Sequence, residues 1–499
     1  MFKLTFLPSE ITIKAELGTT VMQAAIAAGV EMDAPCGGRG VCEKCLVKLA
    51  DSEGEREVLA CQTEPAEDCV VTMSHEAVGH RILLGGITRN VELNPDAEGD
   101  LTGKLAMAYD IGTTTVASYL IDLKTGAELS TSSLLNPQTK YGGDVIMRIK
   151  YALENGVDAL TGDIRAALVS LALESCKKAK VSADNIALIT IVGNTTMHHL
   201  FLGLTTETLA FAPYHAKVTE PLTLKAGDYG FADVCPGAKL LMLPNIAGFV
   251  GADTVGASLA ASMDTADELT LLIDIGTNGE MVLGNKNHLV ACSTAAGPAF
   301  EGALISCGMR GAEGAIDHVE LLGEPDSVTV KYNVIGGGKP IGICGSGLID
   351  LVSELVRTGL VDEGGKLMTG NSFTLVDDIS ITAKDVRELQ LAKGAMAAGI
   401  DMMRMRIGVE VDDIKHVMIA GAFGSYMRPS SACGIGLIPK ALLDRVEAIG
   451  NAAGQGAKLA AINKDEFAHA ARLAEHVDYL ELAANPAFND VFMDNLPFE

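Results

Sequence analysis

Four cysteines stand where they could share one inorganic centre. Cys36, Cys42 and Cys45 fall in the glycine-rich stretch APCGGRGVCEKC, and Cys61 follows in VLACQT. Five residues separate the first pair, two the second and fifteen the third. Thiolates spaced in this way hold an iron–sulfur cluster. The plant-type [2Fe–2S] run has four residues in its first gap, so this is a one-residue variant with a shortened last gap. A structural zinc ion also uses a C-x2-C pair, but zinc ribbons join two such knuckles and here there is one. Inert buried thiols are the bland alternative, set against three cysteines within ten residues of a glycine-rich loop. The spacing predicts a [2Fe–2S] cluster on Cys36, Cys42, Cys45 and Cys61. Gly37, Gly38 and Gly40 would let the backbone curl and aim its N–H groups at sulfur. Cys69, in DCVVTM, reads as a packed thiol rather than a ligand.

A second set of residues occurs twice. DIGTTT begins at Asp110 and DIGTNGE at Asp274, 164 positions later. Each joins two apolar runs, in LAMAYDIGTTTVASYLID and LTLLIDIGTNGEMVLGN, which read as strand, turn, strand. Gly112 and Gly276 would let the turns approach a phosphate closely. Thr113, Thr114, Thr277 and Asn278 would donate to its oxygens, and Asp110 and Asp274 would hold Mg²⁺ through water or orient a nucleophilic water. One Asp-Ile-Gly is an ordinary strand-to-turn sequence, but two of them followed by VMIAGAFGS at 417–425 carry weight together. In that third stretch Gly421 and Gly424 would leave room for a purine or ribose; a tight strand–helix connection in a packed sheet competes with that reading. LPNIAGFVGADTVGASLAAS, at 243–262, reads as a helix crossing between two similar halves and acting as a hinge. The expectation is ATP with Mg²⁺ in the cleft between them.

The elements that must carry these residues follow from pattern. Residues 2–7 and 11–17 alternate as a hairpin around PSE, 20–30 (TVMQAAIAAGV) read as a helix capped by Thr19 or Thr20, and strands follow at 45–50 and 69–74. This is a small β-grasp ferredoxin pattern. NPDAEGDLTGK, at 94–104, is a surface connection, preceded by the more apolar RILLGGITRNVEL as a short strand docking onto a neighbour. From Leu105 the chain turns glycine-rich α/β.

Composition sets limits. At 499 residues the chain exceeds the roughly 250–300 residues of a single core, so two or more domains are expected. A net charge of −26 with no basic cluster argues against nucleic acid. The start MFKLTFLPSE lacks an apolar leader core, and no uncharged apolar run reaches about 18 residues, so a soluble cytoplasmic protein with no membrane partner is expected. Eleven cysteines read as four ligands plus reduced thiols, among them Cys292, Cys307 and Cys344 as buried thiols, with Cys344 in GICGSG placed near the cleft. His198 and His199 are either contacts to a partner or phosphate or ordinary helix histidines, and adjacency makes joint zinc binding unfavourable. The stretch MAAGIDMMRMR, at 396–406, reads as helical core.

The order DIGTTT, crossing segment, DIGTNGE, AGAFGS resembles the acetate and sugar kinase/Hsp70/actin superfamily. IVGNTTMHHLFLG at 191–203, AAGPAFEGA at 295–303, GICGSGLIDLVSEL at 342–355 and YLELAANPAFNDVF at 479–492 resemble one branch of it, the reductive activators of corrinoid enzymes. The resemblance spans nearly the whole chain. It implies an α+β β-grasp [2Fe–2S] ferredoxin domain at 1–75, a linker at 76–104, and a two-lobed α/β actin/Hsp70-like ATPase domain at 105–499. It also implies ATP-dependent reduction of a corrinoid protein of a methyltransferase system from inactive Co(II) to Co(I), with an upstream low-potential electron donor. Two other classes compete: an activator of a 2-hydroxyacyl-CoA dehydratase-like enzyme, whose [4Fe–4S] cluster lies between subunits, and a small-molecule kinase with a fused ferredoxin domain. Longer members place an additional middle domain before the DIGTT strand, and the short interval here leaves no room for it.

Overall fold

The computed structural model describes residues 1–498 except 29, 31, 33–37, 39, 41–44, 53, 74–84, 277, 303 and 425. The first unit begins with β1 (Phe2–Leu7) and β2 (Ile11–Ala15), antiparallel from Phe2↔Ala15 to Phe6↔Ile11. Alternation along β1 buries Phe2, Leu4 and Phe6 in one core with Val21, Val47, Leu49 and Val71. Thr20 caps the helix Val21–Ala27 reciprocally: its Oγ1 accepts from the Gln23 amide at 3.1 Å, and Gln23 Oε1 accepts from the Thr20 amide at 2.9 Å. The sheet is completed by β3 (Leu46–Asp51), β4 (Gly54–Leu59) and β5 (Cys69–Met73), in the order β2-β1-β5-β3-β4. The sequence pattern did not predict β4, because GEREVL is charged and mostly exposed on a sheet edge, without apolar alternation. Cys69 is buried, and that burial pushes its thiol up to about 11.

Beyond the linker two sheets repeat one design. In the first lobe β6 (Leu105–Ile111), β7 (Thr115–Asp122) and β8 (Glu128–Leu135) form an antiparallel meander. Then β9 (Ile186–Gly193) pairs parallel with β6, while β10 (Leu222–Lys225) is joined antiparallel to β11 (Lys239–Met242) and β11 pairs parallel with β9. In the second lobe β12 (Thr270–Ile275), β13 (Gly279–Asn285) and β14 (His288–Thr294) form the meander. A small sheet of β15 (Ala315–Leu322), β16 (Thr329–Val334) and β17 (Gly342–Ile343), and a hairpin of β18 (Ser372–Val376) and β19 (Ile379–Thr382), are inserted there. The main sheet resumes with β20 (His416–Ala420), β21 (Val446–Gly450) and β22 (Val477–Tyr479). The orders β11-β9-β6-β7-β8 and β21-β20-β12-β13-β14 are the same topology, so the two DIGT hairpins occupy equivalent places.

Between the sheets the helices Ala252–Ala260 and Ala452–Ile462 cross. A Cβ on Gly456 would stand 2.1 Å from the Gly256 carbonyl, so only glycine permits this approach. Alanines from both helices and residues from both sheets share one core there, including Ala106, Val192, Leu272 and Ala420. Met396, Met402 and Met403 lie inside the second lobe's core, on the helix Ala383–Ile407. Among the described residues no helix is long and apolar enough to cross a membrane.

Candidate nucleotide cleft and cluster site

Asp110 and Asp274 sit at the ends of β6 and β12, the central strands of the two sheets, and both line one cleft of about 310 Å³. Gly112, Thr113, Thr114, Gly276, Asn278 and Gly421 line it too. Thr277 lies outside the described residues. The two turn glycines differ in their reason. The Gly112 amide donates to the Thr115 carbonyl at 3.0 Å, and a Cβ there would be 2.6 Å from that oxygen, so the turn itself demands glycine. At Gly276 a Cβ would meet nothing nearer than the Asn278 oxygen at 3.8 Å. Its missing side chain keeps open the space a phosphate would fill. Gly421 has φ +90°, and a Cβ would lie 2.8 Å from Asp274 Oδ1. Gly424 differs from the expectation for it: it does not line the cleft, and a Cβ there would run into Ile419 at 2.3 Å. Glycine there lets the chain pass close to β20 as it leaves the strand.

Five carboxylates line this cleft: Asp110, Asp253, Asp274, Glu280 and Asp317. Burial pushes Asp110 and Asp274 up to about 7 and Asp253 up to about 6, and the charge of Asp253 raises Asp110 and Asp274 further. Burial also holds Glu280 well above the usual carboxylate range. So much buried anion suits a bound divalent cation. Among the described residues no three His, Cys, Asp or Glu side chains converge closely enough to ligate one ion. Strand-end carboxylates such as Asp110 and Asp274 are chemically suited to Mg²⁺ held through its own waters beside a polyphosphate, a mode that ion favours.

Asp253, Glu280, Asn194 and Asn451 were not singled out by sequence reasoning. Glu280 closes the DIGTNGE motif, and Asp253 opens the crossing helix already suspected; each had a signal. The asparagines had none, since each acts through a cap. Asn194 caps the helix Thr195–Leu202, its Oδ1 accepting from the Met197 amide at 3.0 Å while its Nδ2 donates to Thr113 Oγ1 at 2.9 Å. His198 and His199 follow on that helix and are buried. His199 Nδ1 meets the Thr195 carbonyl at 2.8 Å and its Nε2 accepts from the Lys217 amide at 3.1 Å, which makes it a structural residue. Cys344 lines the cleft, its thiol donating to the Ile316 carbonyl at 3.4 Å.

A carboxyl whose folded-state value lies above its unfolded value binds more protons when folded, so folding loses stability as pH rises between the two. For Asp110 and Asp274 that window runs from 3.8 to about 7. Without metal or nucleotide, the melting temperature should fall as pH rises across it. Asp253→Asn removes the charge both neighbours feel, yet keeps the Oδ1 that accepts from the Thr254 amide at 2.7 Å. It should recover on the order of 1 kcal/mol at about pH 8, measured by thermal melts in chelator. Equal melting of variant and parent at that pH would show that these carboxylates do not sense one another.

In the ferredoxin unit Cys45 and Cys61 are both buried, and the Ala60 amide donates to the Cys45 carbonyl at 2.9 Å, pinning one to the other's neighbour. Gln62 Nε2 donates to the Gly38 carbonyl at 2.8 Å and points at Cys61 Sγ at 3.5 Å. The same amide thus ties the cysteine loop to Cys61 and offers an N–H to its sulfur, which suits a thiolate ligand. Cys36 and Cys42 lie outside the described residues.

A β-grasp unit with paired buried thiols, followed by two equivalent lobes around an acidic cleft, defines a class: an iron–sulfur domain joined to an ATPase of the actin/Hsp70 fold. Residues 4–66 match the family described as 2Fe-2S iron-sulfur cluster binding domain, 105–266 that described as RACo middle region, and 268–499 that described as C-terminal domain of RACo, the ASKHA domain. The corrinoid activation enzyme RamQ of Eubacterium limosum is 31% identical over 590 residues, covering 99% of this chain and 98% of that protein. The [Co(II) methylated amine-specific corrinoid protein] reductase of Methanosarcina barkeri is 25% identical over 420 residues, covering 79% and 76%. A solved structure described as reductive activator for corrinoid, iron-sulfur protein superposes with TM-score 0.74 at 30% identity, covering 100% of this chain and 98% of that one. The chain belongs to the family of reductive activators of corrinoid proteins.

That family's middle region, as matched, is present here as the first lobe. The alignment with RamQ runs 91 positions beyond the 499 residues of this chain, so that relative carries insertions this chain lacks.

Proposed function

We propose that this chain reduces a corrinoid protein of a methyltransferase system from Co(II) to Co(I), in a reaction that depends on Mg-ATP. The observation that carries the reading is that strand-end carboxylates of both lobes, Asp110 and Asp274, meet in one acidic cleft within a chain that also carries a cluster-binding domain. When bound, a plant-type [2Fe–2S] cluster supplies one electron at around −400 mV. Cys36, Cys42, Cys45 and Cys61 would hold it, and Gln62 would donate to the Cys61 sulfur. The Co(II)/Co(I) couple lies lower, and each ~60 mV of a one-electron gap is a factor of ten, about 1.4 kcal/mol. A gap of one or two hundred millivolts is within the range of conformational coupling to a ligand.

In this reading Gly112, Gly276 and Gly421 admit the nucleotide, and Thr113, Thr114, Thr277 and Asn278 donate to its phosphates. Asp110 and Asp274 hold the waters of Mg²⁺, with Asp253 and Glu280 completing the negative field. Nucleotide closes the lobes about the crossing helices and favours a complex in which the corrinoid loses an axial ligand and accepts the electron. Hydrolysis resets it. A low-potential donor upstream refills the ferredoxin domain.

The test follows the cobalt absorption bands of an isolated corrinoid protein with this chain and a chemical reductant. With Mg-ATP, Co(II) should convert to Co(I); without nucleotide it should stay mostly Co(II). Equally fast reduction in both would remove the ATP dependence from the reading. Phosphate transfer to acetate or a sugar, with no cobalt reduction, would turn it to the kinase class.

A further inference from the structure

The linker does more than separate two domains. Its described part, 85–104, grips both ends of the crossing helix Ala452–Ile462. At the first end, Gly86 pairs antiparallel with Gly450, the Ile87 amide donates to the Ile449 carbonyl at 2.8 Å, and the Asn451 amide donates to the Gly85 carbonyl at 2.9 Å. At the other, the Asn94 amide donates to the Ile462 carbonyl at 2.9 Å and Asn463 Nδ2 to the Glu92 carbonyl at 2.9 Å. Between them, Arg89 bonds Glu466 and lies 3.4 Å from Ser262, two residues past the end of the other crossing helix, Ala252–Ala260.

The fit at the first end is close. A Cβ on Gly86 would come within 2.9 Å of the Asn451 carbonyl, and one on Gly450, where φ is +69°, within 2.3 Å of the Gly85 carbonyl. Asn451 is where this seam meets the cleft. Its backbone amide holds the linker, its Oδ1 accepts from the Gly454 amide at 2.8 Å to cap the helix, and its Nδ2 donates to Asp110 Oδ2 at 2.9 Å. The donor-only Gly454 amide fixes which end of the side chain is oxygen, so the group facing Asp110 is the NH₂. One residue therefore touches the linker of the ferredoxin domain, the pivot helix of the second lobe and a cleft carboxylate of the first.

We propose that Asn451 is a positioning residue through which nucleotide in the cleft, acting on Asp110, sets the hold of the helix Ala452–Ile462 on the 85–94 linker segment. The inference rests on the nucleotide reading given above. Asp110 cannot shift toward a newly bound cation without changing the bond that Asn451 makes to it, and Asn451 cannot move without its own amide, which carries Gly85. Nucleotide occupancy is in this way transmitted to the segment that leads back to the ferredoxin domain.

Hydrogen exchange by mass spectrometry on the full chain, read in peptides covering 85–94, tests this beside a direct nucleotide-binding titration. Saturating Mg-ATP should slow exchange there about tenfold, an ordinary size for coupling between sites. Asn451→Asp keeps the oxygen that caps the helix and the amide that holds Gly85 but loses the donor to Asp110. At saturating nucleotide it should show no slowing. Gly86→Val, which stands outside the cleft, should exchange fast with or without nucleotide and, because coupling is reciprocal, still bind nucleotide with at most about a tenfold loss of affinity. Unchanged linker exchange in the parent chain at proven saturation would overturn the inference and leave the nucleotide reading standing, as would full slowing in Asn451→Asp. Failure of the parent chain to bind nucleotide would overturn both.

Discussion

Replacing Asp274 with alanine should lower ATP hydrolysis by at least about a hundredfold, the size expected when one preorganised electrostatic contact at a reacting centre is lost, here the carboxylate that would hold the waters of Mg²⁺. Asp274 ends β12, the central strand of its sheet, and its Oδ1 stands where a Cβ on Gly421 would be only 2.8 Å away, so its position is fixed by the chain on both sides. Removing it leaves Asp110, Asp253, Glu280 and Asp317 in the cleft, none of them at the end of the second lobe's central strand. The fold should survive, because the removed carboxyl is one that burial had already made costly to ionise. The visible absorption of the cluster should also survive, since Cys45 and Cys61 belong to a separate core. Steady-state phosphate release and a visible spectrum on the same sample check both parts. Full activity in this variant would place the nucleotide elsewhere.

The repeat was legible because chemistry and geometry coincide in it. A glycine turn flanked by two apolar strands and opened by aspartate can be read wherever it occurs, and the two occurrences at Asp110 and Asp274 lead to two sheets of one topology. The ferredoxin elements were legible for a similar reason: Phe2, Leu4 and Phe6 alternate, and Thr20 with Gln23 spells a capping box. What escaped was carried by groups whose role appears only after folding. Asn194 and Asn451 are helix caps by local pattern, and their second contacts, to Thr113 and Asp110, join residues 81 and 341 positions apart. No local pattern encodes such a pairing. Gly424 shows what spacing within one motif leaves open. It stands three residues from Gly421 in the same motif, but one faces the cleft and the other packs on Ile419, a distinction set by the direction of the turn. The edge strand Gly54–Leu59 escaped because an edge selects charge instead of apolar alternation.

The second large effect concerns the other end of the chain. Cys61→Ser should lose the cluster or leave it too weakly held to pass electrons, and with it all Co(II) reduction, while nucleotide binding in the cleft persists. Serine is nearly the size of cysteine, so the buried position beside Ala60 and Gln62 should pack without a cavity. What changes is the ligand, because a hydroxyl has none of the softness that lets a thiolate hold iron and sulfide. The separation of cores makes the prediction sharp: Cys61 packs with Leu4, Val21 and Val71, whereas the cleft is built on the strands and helices of the two lobes. Iron and labile sulfide analysis should find about two of each per parent chain and a marked loss in the variant, with the nucleotide titration unchanged. An intact cluster in Cys61→Ser would displace this residue from the ligand set. Undiminished cobalt reduction by a chain that has lost its iron would be the more serious result, because the electron would then reach the corrinoid by a route that bypasses the ferredoxin domain, and the fusion of the two units would have no part in the reaction.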